Sequence, residues 1–277
     1  MRKVIQQFKA VDTSDGAGVR LKRSIGLANF PNIDPFLLLD EFSSANSNDY
    51  IAGFPPHPHR GFETVTYMID GMMEHKDSAG NNGLLRSGSV QWMSAGKGVL
   101  HSEMPIQKEG LMRGFQLWIN LPAKDKMMNP RYQNIEPEEI PVVKQASGAI
   151  IKIIAGNLEN TAGPVKGIIT NPFYWDLMLP PETQFETETR EGQNVFAYPF
   201  EGEADFGTGL VPQSTLVLFS NSGKLLIKTE KKSSRILLIG ADPINEPIAR
   251  GGPFVMNTRD EISQAVKDYE SGKFGIL

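Results

Sequence analysis

Residues 54–63 read Phe-Pro-Pro-His-Pro-His-Arg-Gly-Phe-Glu, a stretch that takes two of the four histidines in a chain of 277 residues. Prolines at 55, 56 and 58 favour an extended backbone. On an extended backbone residues i and i+2 project from one face, so His57 and His59 stand side by side. The spacing recurs in SAGKGVLHSEMP (94–105), where His101 and Glu103 are again two apart, behind Gly96 and Gly98. Two such pairs on neighbouring strands of a small barrel converge on one point. Three imidazoles and one carboxylate form a mixed nitrogen and oxygen set that suits iron, nickel, copper, manganese, cobalt or zinc. Glu63 shares parity with His57 and His59, so spacing leaves Glu63 and Glu103 both open as the carboxylate. His75, in MMEHKDSAG (72–80) near a hairpin turn, reads as a solvated or hydrogen-bonding residue outside the cluster.

Around these motifs almost everything reads as strand. ETVTYMIDG (63–71), SGSVQWMSAG (87–96), RGFQLWINLP (113–122), AIIKIIAG (149–156), FYWDLMLP (173–180), NVFAYPFEG (194–202), STLVLFSNSG (214–223) and SRILLIGAD (234–242) are short, rich in β-branched and aromatic residues, and separated by turn formers. That pattern predicts an all-β chain of barrels or sandwiches. One helix is expected. Thr258 and Glu261 form a capping box, Ile262, Ala265, Val266 and Tyr269 make one apolar stripe, and Gly272 is placed to end it.

Pro137 and Pro141 interrupt an acidic patch at IEPEEIPVV (135–143), which predicts domains 1–134 and 135–277. A faint internal repeat spans that break: Thr66–Gly71 aligns with Ala197–Gly202, an apolar strand ending in acid-glycine. At the same offset His57 falls on Glu188 and His59 on Arg190, and no histidine follows His101. A histidine metal site therefore belongs to the N-terminal half, and the C-terminal half is expected to hold none.

Composition excludes several classes. There are no cysteines, hence no disulfides, thiolate metal sites or cysteine nucleophiles. A net charge of −4 and a pI near 5.7 give no basic field to collect nucleic acid. The basic run RLKR (20–23) reads as a charged edge strand. No apolar run approaches the roughly 20 residues of a membrane-spanning helix, and MRKVIQQFKA lacks the features of a secretory signal, so a cytoplasmic address is expected.

HPHRGFETVTYMIDG (57–71) and GSVQWMSAGKGVLHSEMP (88–105) resemble the paired motifs of the pirins, a branch of the cupin superfamily. DPFLLLDEF (34–42), GFQLWINLP (114–122), NEPIARGGPFVMNT (245–258) and DYESGKFG (268–275) extend the resemblance over essentially the whole chain. It implies two cupin (double-stranded β-helix) barrels packed face to face, with iron in the first and no metal in the second. It also implies the ligand set His57, His59, His101 and Glu103, whereas the general cupin pattern takes its carboxylate from the first motif, here Glu63. Several pirins resemble quercetinases, which cleave a flavonol such as quercetin with dioxygen and release carbon monoxide. On that reading the cofactor is one divalent metal, Fe(II) first, and Glu103 doubles as the catalytic base. Phe54, Met72, Trp92, Met93 and Phe115 are candidate walls of an apolar mouth. The alternative is that of eukaryotic pirins, a redox-sensitive regulator that binds a protein partner. Another cupin reaction, such as an isomerisation, is a third.

Overall fold

The computed structural model describes residues 1–277. Two units emerge. One comprises Asp12–Pro137 with Ile244–Leu277, the other Met1–Val11 with Glu138–Pro243. The crossing at Pro137 and Glu138 lies close to the break expected at 134/135, but the two ends of the chain are exchanged. The first strand joins the unit built from the C-terminal half, and the helix joins the unit that holds the histidines. Local pattern carries no signal for this. Each terminal segment completes an edge or a corner far away in sequence.

The histidine-bearing unit has two antiparallel sheets. The larger runs Arg131–Ile135, Val90–Ser94, Phe62–Asp70, Met112–Asn120, Phe36–Ser44, Val19–Ile25, Val11–Asp15. The smaller runs Phe54–His59, Val99–Pro105, Met73–Asp77, Asn82–Leu85. The other unit repeats the larger sheet's order with Val4–Lys9, Thr215–Phe219, Asn194–Asp205, Ser234–Ala241, Phe173–Leu179, Ile150–Ala155 and Val142–Lys144. The two phrases of the internal repeat lie on Phe62–Asp70 and Asn194–Asp205, third in each series. The edge strand flanking the second position differs in origin: it follows the barrel in one unit and opens the chain in the other.

The strands form where β-branched and aromatic residues alternate. In Phe173–Leu179, residues 173, 175, 177 and 179 enter one buried core with Phe185, Val195 and Ile236. Each such side chain contributes roughly 1.5–3 kcal/mol by leaving water. In the histidine-bearing unit Phe36, Phe62, Phe115 and Leu117 are fully buried.

Two expectations need correction. The Val19–Ile25 strand is not an edge, because Val11–Asp15 flanks it, and its Arg23 is bound to Asp40 and Asp15. The helix spans Arg259–Glu270 with the capping box formed, Ile262 and Ala265 buried, and Gly272 at φ +77° beyond its end. Val266 and Tyr269, however, are about two-fifths exposed. The third buried helix position is Asp268, which meets Arg60 at 2.9 Å. No helix is long and apolar enough to cross a membrane.

Candidate metal centre

His57 and His59 lie on the Phe54–His59 strand and His101 on Val99–Pro105, and the two strands pair directly. His57 sits opposite His101 in the ladder, with His59 opposite Val99. The three imidazoles each bring one nitrogen within 4.8 Å of the others. His57 Nε2 is 3.1 Å from His59 Nε2, while His57 Nδ1 is 2.8 Å from the Pro55 carbonyl oxygen. That carbonyl can only accept, so the His57 proton belongs on Nδ1 and the Nε2 lone pair faces the cluster.

A buried relay fixes His101 in the same way. Its Nδ1 is 3.5 Å from His75 Nδ1, and His75 Nε2 is 3.4 Å from Asp77 Oδ2. Burial works against ionisation of Asp77, but hydrogen bonds from His75 and Asn81 outweigh it and hold its pKa below the usual carboxylate value. An ionised Asp77 accepts only, which places the His75 proton on Nε2 and leaves Nδ1 as an acceptor. His101 must then donate through Nδ1, and its Nε2 carries the lone pair. That Nε2 is buried and has no hydrogen-bond partner. His75 is thus fully buried, not solvated; the reading that it forms hydrogen bonds stands. Its position near a turn disguised it, although His75 and Asp77 show the same i, i+2 spacing as the ligand pairs.

Burial lowers the pKa of His59 and of His101 well below 6.5, and the neighbouring imidazoles push in the same direction. Both are neutral at pH 7, the state a metal requires. Three convergent imidazole nitrogens, one of them orphaned in the interior, fit a transition-metal ion.

The two carboxylates separate clearly. Glu103 lines a cavity of about 590 Å³ together with His57 and His59. Thr66 Oγ1 donates to Glu103 Oε1 at 2.7 Å, with Gln116 Oε1 also 2.7 Å from that hydroxyl. The carboxylate stands outside the tight three-nitrogen group, and a bulge in the strand pairing falls between His101 and Glu103. Glu63 does not line this cavity. It takes a 2.6 Å hydrogen bond from Ser94, and burial raises its pKa despite that bond. Parity failed because Gly61, at φ +89°, interrupts the extended backbone between the Phe54–His59 and Phe62–Asp70 strands. After the turn it is Thr66 that meets Glu103, and Glu63 is an odd number of residues away, on the opposite face.

The corner after His59 is clamped. Lys126, buried, donates to the carbonyls of Gly61 at 2.8 Å and Val255 at 3.0 Å, and to Asn120 Oδ1 at 2.6 Å. Burial lowers its pKa to about 8. Arg60 binds the Lys97 carbonyl at 2.6 Å and Asp268, and its guanidinium lies 4.6 Å from the Phe274 ring centroid.

Of the expected wall residues only Phe54 lines the cavity. Trp92, Met93 and Phe115 belong to the buried interior, and Met72 is about two-fifths exposed. The walls instead include Leu21, Leu38, Phe42 and Trp118. Trp118 and Gln116 share a face of the Met112–Asn120 strand, the less buried one, so alternation marks them once Phe115 and Leu117 are assigned inward. In the second unit, Glu188 pairs with Lys224 at 3.3 Å and Arg190 with Asp242 at 3.0 Å.

Comparison with known proteins agrees with this geometry. Residues 18–119 match the Pirin family and residues 174–275 match the Pirin C-terminal cupin domain. Human pirin is 38% identical over 99% of this chain and 94% of its own length. The chain belongs to the pirin family. It is also 46% identical, over 99% of both chains, to a Pseudomonas aeruginosa protein named "Putative quercetin 2,3-dioxygenase". Its fold is similar to the crystal structure of quercetin 2,3-dioxygenase from Acinetobacter baumannii, with a TM-score of 0.91, 33% identity and 100% coverage of both chains. The two barrels of this pirin are accordingly cupin domains.

Proposed function

We propose that the protein is a metal-dependent dioxygenase that opens the central ring of a flavonol with dioxygen and releases carbon monoxide. His57, His59, His101 and Glu103 are its ligands, and the other barrel holds no metal. The observation that carries the reading is the three-nitrogen cluster bordering a largely apolar cavity that also contains a carboxylate. A volume of about 590 Å³ falls within the range of small-molecule sites. A divalent ion such as Fe(II), when bound, polarises the hydroxyl-ketone edge of the flavonol and lowers its hydroxyl pKa.

The chain's own groups do the rest. Thr66 occupies Glu103 Oε1, so Oε2 is the oxygen that would hold the ion and that, on loosening from it, would take the hydroxyl proton as general base. The O–H bond breaks, the proton stays on Glu103, and the flavonolate becomes the electron source for dioxygen. Trp118, Phe42 and Leu38 offer flat and branched apolar surfaces to aromatic rings and exclude water from them. His75 and Asp77 keep the His101 Nε2 lone pair turned inward.

The test combines elemental analysis of protein purified without added metal with oxygen uptake and carbon monoxide detection across a flavonol panel. About one equivalent of metal per chain, uptake, and its loss in His101→Ala are expected. A metal-replete protein inert toward every flavonol would overturn the catalytic reading, and capture of a protein partner in only one redox state of the metal would replace it with a regulatory one.

A further inference from the structure

The histidine cavity contains a second recognition element. Arg250, on the short strand Ala249–Gly251, contributes to its wall with Trp118, Asp40 and Asp15. Its guanidinium makes a single hydrogen bond, a long one of 3.4 Å to the Leu37 carbonyl, and lies 5.1 Å from the Trp118 ring centroid. It has no ion pair.

The cation beside it is fully occupied. Arg23 binds Asp40 through Nε at 2.8 Å and Nη2 at 2.6 Å, and reaches Asp15 at 2.7 Å. Arg23 thus takes the hydrogen bonds of Asp40 and Asp15, while the charge of both carboxylates still reaches Arg250. Burial first, and the charge of Arg23 second, disfavour the charged form of Arg250, and outweigh the opposing attraction of Asp40 and Asp15. An arginine carries five donors in a planar fork that matches an oxyanion. Here most of that fork is unused by the protein and borders the cavity.

Trp118 connects this fork to the metal centre. Its ring centroid is 5.1 Å from that of His59 and 5.1 Å from Arg250 Cζ. The guanidinium therefore lies no more than two such steps from a ligand imidazole, with an aromatic platform between. Phe62, with its centroid 4.4 Å away, and Arg250 already lie against the Trp118 ring, so a planar ligand would run past Trp118 across the cavity that the histidines and the fork share.

We infer that Arg250 forms an anion subsite, and that the substrate is an aromatic with a chelating hydroxyl-ketone edge at one end and a carboxylate at the other. This rests on the proposed reading of the histidine cluster as the reacting centre. A charge-assisted, bidentate contact in a partly desolvated wall is strong enough to set preference between otherwise identical ligands.

The experiment uses metal-loaded full-length protein without oxygen and two probes, 3-hydroxyflavone and 3-hydroxyflavone-4′-carboxylate, with binding followed by tryptophan quenching. Wild type should bind the carboxylate about ten- to a hundredfold more tightly than the neutral parent. Arg250→Met retains an apolar stem over Trp118 and should bring that ratio close to one. Arg250→Lys should fall between, since a point charge replaces the fork. Metal content and circular dichroism must match wild type in both variants. Equal affinities in wild type, or a preference that survives in folded Arg250→Met, overturns the subsite. Oxygen uptake on the same probes separates the two claims. Arg250-dependent preference without uptake sustains the subsite and sinks the dioxygenase; uptake with no Arg250 dependence does the reverse.

Discussion

Replacing His75 with Phe tests whether the buried relay tunes the metal centre. Phe has similar volume and can keep the stacking on Tyr132, whose ring centroid lies 5.0 Å from that of His75 at 28°. It removes both nitrogens of a fully buried side chain. In the metal-free variant, with His75 gone, His101 can relocate its proton between its two nitrogens. A metal on Nε2 forces the proton onto Nδ1, where His75 Nδ1, 3.5 Å away, is the acceptor. The cost of an unpaired buried donor, about 1–3 kcal/mol, therefore falls mainly on the metal-bound state. Because the contact is long, the lower half of that range is the better expectation. At about 1.4 kcal/mol per factor of ten, affinity should weaken by roughly five- to thirtyfold, overlapping the span found when outer-shell partners of ligating histidines are removed. Asp77→Asn should act in the same direction, since an amide N–H facing His75 Nε2 favours the wrong tautomer. The assay is competition with a chromophoric chelator at pH 7.5, alongside thermal melting of the metal-free proteins. A folded His75→Phe protein with unchanged affinity would refute the tautomer argument.

Glu103→Gln should retain much of its metal and lose turnover, whereas Glu63→Gln should leave turnover near wild type; metal analysis with oxygen uptake separates them, and the opposite pattern would reassign the base. The His57→Ala/His59→Ala double variant should retain no stoichiometric metal by elemental analysis. Because burial holds His59 and His101 well below 6.5 in the folded chain, the unfolded chain binds more protons below that pH. Metal-free protein should then lose stability as pH falls from about 6.5, by up to about 1.4 kcal/mol per pH unit per histidine. Urea midpoints at pH 7.5 and 5.5, compared with His59→Gln, read this directly, and an equal drop in the variant would count against it. Gly61→Ala demands a left-handed φ and drives a new Cβ into the Val255 carbonyl oxygen, so unfolding free energy should fall by roughly 1–3 kcal/mol, with metal retention reduced.

The sequence by itself determined the class of fold and three of the site's donors. Strand identity is legible because alternation of β-branched and aromatic residues is a local property, and the eight quoted segments all coincide with strands. His57, His59 and His101 were legible because i, i+2 spacing on extended chain forces side chains onto one face. The helix was legible at its cap but not along its face, because the buried Asp268 is held, besides its local partners Gln264 and Lys273, by Arg60, 208 positions away. Tertiary structure alone decided the remainder. Glu63 and Glu103 are equivalent by parity until the turn at Gly61 resets the count, and a turn's effect on parity depends on its φ values. His75 and Trp118 required knowing which strands are neighbours, since cavity walls and hydrogen-bond relays form across a sheet and not along a strand. The exchange of the chain ends between the two units was invisible for the same reason: edge pairing is set by backbone groups that every sequence carries, and only the assembled sheet shows which edge is left to fill.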